Sequence, residues 1–298
     1  MTLNISCKKT CSFILFTLLM LANLTAHAAT EYIIGLTTQG IRSASVEEIE
    51  LGFNYQLQSI GKNRGYSMKI KVYPNTQQMI QLLSEQKVIG FFGSTKLLLE
   101  NADKINMSLL FSPVLSEKVM QRYVLLVRKD GGIDSITKLK NLSLSYCAAD
   151  EVGLLYLQKL LNDKKLGEIH SFFKKLVVKK NPNLDISAVF FKETQAALAL
   201  EADFTVASEL NPQLKQQLIA VEISPEYINN AIAISNNIAG PMSNMELENH
   251  IMNLGNAIRS KTLMQSYNYG SMRKIKSEDL NSVRDLINSI NENKDKLK

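Results

Sequence analysis

Five consecutive apolar residues, Val88-Ile89-Gly90-Phe91-Phe92, sit between two segments of helical pattern and set the fold class of this chain. A strand with no polar alternation belongs where both faces are covered, which is the position of a central strand in a parallel sheet packed between helices. The residues around it have the same rhythm. Tyr32 to Leu36 reads as a strand, and Val46 to Ser59 carries Ile49, Phe53 and Leu57 at helical spacing. Met68 to Tyr73 alternates at period two and stops at Pro74, and Asn75 or Thr76 can cap a helix whose apolar face is Met79, Leu82 and Leu83. Gly93-Ser94-Thr95 then breaks the apolar strand and opens another helix. Strand and helix in strict alternation predict an α/β domain with a parallel sheet.

Two extended runs follow, Met107 to Pro113 and Val119 to Val127, and the turn chemistry of Arg128-Lys129-Asp130-Gly131-Gly132 ends them. A second α/β unit is expected next. It has a strand at Leu142–Tyr146, a helix at Glu151–Leu161, a further helix at Glu193–Leu200 and strands at Phe204–Ala207, Leu218–Val221 and Ala231–Ile234. The tail is helical from Glu246 to Arg259 and from Ser277 to Asn291, with Leu280, Val283, Leu286 and Ile287 on one face. The simplest architecture is two α/β lobes joined by crossovers near Gln121–Val127 and Pro225–Ile232. Residues 29–122 with 227–298 would form the first lobe and 123–226 the second.

The first 28 residues predict export. Lys8 and Lys9 precede a ten-residue apolar core, Phe13 to Ala22, and Ala26-His27-Ala28 is a small-x-small cleavage signal. Spanning a bilayer takes about 20 apolar residues, so this reads as a cleaved signal peptide, leaving a mature chain from about Ala29 in the periplasm. Cys7 and Cys11 lie in that segment, so Cys147 is the single mature cysteine and the fold must rest on its core rather than on an internal disulfide. Loss of Lys8 and Lys9 takes the formal charge from +6 to +4. There is no dense basic run interleaved with aromatics, which argues against nucleic acid. The Lys174-Lys175 and Lys179-Lys180 pairs read as a solvated face. His170 and His250 lack metal-spaced partners, and no cofactor is expected. No nucleophile elbow, zinc-protease motif, phosphate-binding loop or dinucleotide fingerprint is present, so the sequence points away from an enzyme.

Four segments carry a resemblance: Lys87 to Ser94, Val127 to Asn141, Glu209 to Lys215 with Ile223-Ser224-Pro225, and Lys276 to Val283. In order and spacing they resemble the phosphate/phosphonate-type periplasmic substrate-binding proteins of ABC transporters, across nearly the whole mature chain. The resemblance implies the type 2 periplasmic binding protein fold, hinge closure on a small anionic or zwitterionic ligand, and a membrane permease as partner. The chain departs from that family at Tyr146-Cys147-Ala148-Ala149-Asp150-Glu151-Val152-Gly153, where the family's hydroxyl-rich anion turn is replaced by two carboxylates. One consequence is a helix capped by its own carboxylates with no ligand there; another is a ligand with a cationic or hydrogen-donating group on that side. The candidate ligand-binding residues are Thr37, Thr38, Ser94 and Thr95 on the first lobe and Tyr146, Asp150, Glu151 and Ser208 on the second, with Glu209 beside Ser208. Open α/β sheets bind at the C-terminal ends of their strands, where these residues are expected. Ser94 or Thr95 acting only as a helix cap, and Tyr146 only as packing, are the alternatives. A different reading of the same departure is a sensor or interaction module that serves a membrane signalling partner. A monomer is expected in either case.

Overall fold

The computed structural model describes residues 30–37, 45–57, 60, 64–105, 107–235, 238–253 and 269–296. The segment expected to be a signal peptide and Thr38 lie outside the described residues, as does the expected helical stretch beyond Asn253. The strands are β1 Thr30–Thr37, β2 Tyr66–Tyr73, β3 Gly90–Ser94, β4 Met107–Leu115, β5 Tyr123–Arg128, β6 Ser143–Cys147, β7 Lys175–Lys179, β8 Ala196–Leu200, β9 Leu218–Ile223, β10 Asn230–Ser235 and β11 Tyr269–Ile275. The helices are α1 Val46–Leu57, α2 Thr76–Ser84, α3 Thr95–Glu100, α4 Glu151–Asp163, α5 Ile169–Phe172, α6 Pro182–Phe190, α7 Glu201–Leu210, α8 Pro212–Gln217, α9 Asn244–Met252 and α10 Asn281–Lys296.

Two sheets result, with strand orders β11-β4-β10-β3-β1-β2 and β7-β6-β8-β5-β9. β1 pairs in parallel with both β2 and β3, and β6 with both β7 and β8. Each sheet also takes in antiparallel strands, β10 against β3 in the first and β5 against β8 in the second. The period-two pattern of β2 buries Met68, Ile70 and Val72. At Gly90 a β-carbon would stand 2.3 Å from Ile234 Cδ1 and 3.1 Å from the Ala233 carbonyl oxygen of β10, so a larger residue would force the Ile234 side chain to shift.

The chain changes sheets through residues 116–122 and returns through 224–229. These crossovers pair with each other, Gln121 and Tyr227 exchanging two backbone hydrogen bonds of 2.8 Å. The first lies five residues earlier than expected, because Tyr123 is already in β5, and the second ends three residues earlier, because Asn230 is already in β10. Helix α10 does more than return to the first lobe: it packs on both α3 and α4, with Val283, Leu286 and Ile290 buried.

Two elements of the second unit differ from expectation. Glu193–Leu200, expected as a helix, contains strand β8. Its Ala-Ala-Leu-Ala-Leu composition favours helix, but every residue is at most 1% exposed in the centre of the sheet, and tertiary burial overrides that local preference. Phe204–Ala207, expected as a strand, lies inside helix α7. Strand β7 and helix α6 carried no clear signal. β7 is an edge strand with Lys175 and Lys179 at its two ends, and such lysines discourage pairing with other chains. Asn181 caps α6 by accepting from the Asn183 N–H, and Pro182 follows in the first turn.

Candidate functional site

The parallel strands of the two sheets point their C-terminal ends at the crossovers. Thr37, Ser94, Cys147 and Leu200 end β1, β3, β6 and β8 there. The candidate site is therefore the region where these strand ends meet the paired crossovers.

On the first side, Thr37 is buried at the end of β1, opposite Tyr73 of β2. Ser94 caps α3: its hydroxyl accepts from the Leu97 N–H at 3.3 Å. Thr95 is fully buried, and its hydroxyl donates to the Ile228 carbonyl at 2.5 Å while its N–H donates to the Asn229 carbonyl at 2.9 Å. Both hydroxyls are therefore engaged within the protein, and those of Thr95 tie the start of α3 to the second crossover.

On the second side, Tyr146 is half-buried on β6, and burial raises its hydroxyl above the usual tyrosine range. Asp150 occupies the cap position of α4 but makes no side-chain cap hydrogen bond, so the helix is not self-capped in the way the sequence allowed. It is 1% exposed; its N–H donates to the Cys147 carbonyl at 3.0 Å, and its own carbonyl accepts from Leu154 at 3.0 Å. Glu151 stands half-buried in the first turn of α4. Gly153 lets this helix lie against the ring of buried Tyr123, to which a β-carbon would come within 2.5 Å.

Ser208 is displaced from its expected place. The element before it is α7 rather than a strand, so Ser208 and Glu209 lie toward the far end of that helix. At 1.5 Å per residue Ser208 is about 12 Å along the axis from Leu200. The residues at the strand end are instead Glu201 and Asp203, in the first turn of α7, with the Glu201 N–H donating to the Arg122 carbonyl of the first crossover at 2.9 Å. Once β8 is placed, its end marks these two carboxylates, but the misassigned Glu193–Ala207 segment concealed them. The second side of the site therefore presents two helix starts, both acidic: Asp150 with Glu151, and Glu201 with buried Asp203.

Beside the crossovers lies a cavity of about 240 Å³ between the turn at Ser116–Lys118, the Arg122–Glu226 pair and the start of α7. A larger cavity, about 610 Å³, lies at the opposite end of the second sheet, next to Leu142 and Gln195 before β6 and β8. Its charges are matched locally, Arg128 holding Asp130 through contacts of 2.7 and 2.8 Å and Lys138 meeting Asp134 at 2.7 Å. Its position at the N-terminal ends of the parallel strands makes it the poorer ligand site despite its size.

Two α/β sheets facing each other across paired crossovers define a type 2 periplasmic binding protein fold. The family model described as "ABC transporter, phosphonate, periplasmic substrate-binding protein" matches residues 42–280, and the chain belongs to that family. Among solved structures, a binding protein component of an ABC phosphonate transporter from Pseudomonas aeruginosa is 16% identical, with a TM-score of 0.65 over 89% of this chain and 88% of that one. PhnD1 from Prochlorococcus marinus, in complex with methylphosphonate, is also 16% identical with a TM-score of 0.65, over 88% and 99% of the two chains. A Xanthomonas citri protein bound to ATP is 12% identical with a TM-score of 0.66, over 90% and 100%. No curated protein sequence matches the chain. The family is one of transporter binding proteins rather than of enzymes.

Proposed function

We propose that this chain is the exported receptor of an ABC uptake system, cleaved near Ala28 and working as a monomer. It closes its two lobes, 29–122 with 227–298 and 123–226, on a small anion that also carries an amine or another hydrogen donor, and delivers it to a membrane permease. The observation that carries this reading is that the helices following β6 and β8 both open with carboxylates, Asp150–Glu151 and Glu201–Asp203. A carboxylate about 5 Å from a bound anion opposes it by roughly 3 kcal/mol at an effective dielectric near 20, and it favours an ammonium group by a similar amount. The acidic end of the ligand then belongs on the first lobe, near Thr37, Thr38 and the start of α3. Ser94 and Thr95 shape that end through their internal hydrogen bonds, and Tyr146 walls the opposite side.

Calorimetric titration tests this with phosphate, methylphosphonate and an aminoalkylphosphonate. The aminoalkylphosphonate binds most tightly and phosphate most weakly; the reverse order would overturn the charge argument. The same carboxylates favour one alternative, a module that engages a membrane signalling partner in place of a solute. Saturable binding of any of the three compounds excludes it as the sole role.

A further inference from the structure

Asn229 lies in the second crossover, one residue before β10, and is 8% exposed. Its backbone carbonyl accepts from the Thr95 N–H, which fixes the residue against the start of α3. Its carboxamide is different: neither Nδ2 nor Oδ1 has a hydrogen-bond partner among the described residues, although both atoms are buried. Leaving a buried amide unsatisfied costs about 1–3 kcal/mol, so an amide held this way in a folded protein calls for an external partner. The side chain lines a narrow space of about 10 Å³ bounded by Ser112 and Leu115 of the first sheet, Gln121 of the first crossover and Leu200 at the end of β8. Its walls come from both sheets, so the proposed closure of the lobes would set its width.

We infer that the Asn229 carboxamide is a ligand-recognition group of the cleft, selecting an oxyanion that retains one acidic hydrogen. A carboxamide presents a donor and an acceptor side by side. A singly protonated phosphonate answers both, with P–O⁻ accepting from Nδ2 and P–OH donating to Oδ1. A sulfonate of the same size and charge has only acceptors, which leaves Oδ1 unpaired and facing another oxygen. Asn229 therefore separates the two acid classes by hydrogen-bond pattern rather than by charge. This rests on the proposed binding of an anion at the first-lobe end of the cleft.

The test compares methylphosphonate with methanesulfonate by calorimetry at pH 5.5, where both carry about one negative charge. The wild-type chain should prefer methylphosphonate by at least about tenfold, the effect of one satisfied against one unsatisfied hydrogen bond. Asn229→Leu and Asn229→Ala should each reduce that preference to less than about threefold. Because the carboxamide has no partner among the described residues, Asn229→Leu should leave the thermal midpoint of the ligand-free chain unchanged or raised. Preference unchanged in both variants, the result if the amide holds only water, would overturn the inference and leave the anion reading standing. A wild-type chain with no preference would overturn it equally, as would a loss of more than about 4 °C in ligand-free Asn229→Leu. A wild-type chain that binds neither probe, nor phosphate nor an aminoalkylphosphonate, would overturn the anion reading itself and the inference with it.

Discussion

Replacing Thr95 by Val separates a structural hydroxyl from a ligand-binding one. The Thr95 hydroxyl sits 2.5 Å from the Ile228 carbonyl, and both residues are at most 1% exposed. Valine removes the donor and leaves that carbonyl buried without it, a cost of about 1–3 kcal/mol. It also puts a methyl group where an oxygen made a short contact, so the crossover must give way, adding about 1 kcal/mol or more. The sum, about 3 kcal/mol, lowers the folding equilibrium constant by roughly two orders of magnitude. Thr95→Ser keeps the donor and loses one methyl group, for about 1 kcal/mol. Urea unfolding followed by far-ultraviolet circular dichroism reads both effects as shifts of the midpoint at constant slope. The Ser variant should also bind methylphosphonate within about threefold of wild type. A Val variant as stable as wild type that had lost anion affinity would refute the assignment and return the hydroxyl to the ligand.

Three more outcomes follow from the same structure. Asp150→Ser with Glu151→Thr should strengthen phosphate binding at least about tenfold in calorimetry by removing like charge from the start of α4. Ser243→Ala, which removes the hydroxyl that caps the Glu246 N–H at 3.2 Å, should lower stability by about 1 kcal/mol in urea unfolding. Glu246 is held below the usual carboxylate range, chiefly by the Ser243 backbone N–H. Its stabilising effect is therefore present above the ordinary glutamate pKa and lost as the pH falls through the depressed value, and Glu246→Gln should flatten the acid limb of a stability–pH profile in that window.

Much of the scaffold was legible because its signals are local. The alternation of β2, the Asn75 cap of α2 and the apolar face of α10 each need only neighbouring residues, and each stands as the sequence implies. The stretch from 193 to 210 misled because alanine and leucine favour helix in isolation, whereas β8 is fixed by burial between two strands distant in sequence. The fate of the Ser94 and Thr95 hydroxyls was only half-readable. The Ser94 cap is local, but the partner of Thr95 is 133 residues away. Asn229 gave no signal at all, since an asparagine beside another asparagine in a connection reads as turn chemistry until its surroundings are known.

The central claim, that two lobes close on a small anion, is tested most directly by small-angle X-ray scattering of the mature chain with and without saturating methylphosphonate or an aminoalkylphosphonate. The closed state gains population by its greater affinity for the ligand, so the account predicts a smaller radius of gyration and a shorter maximum dimension when ligand is present. Superimposable scattering curves at ligand concentrations where calorimetry shows full occupancy would contradict it.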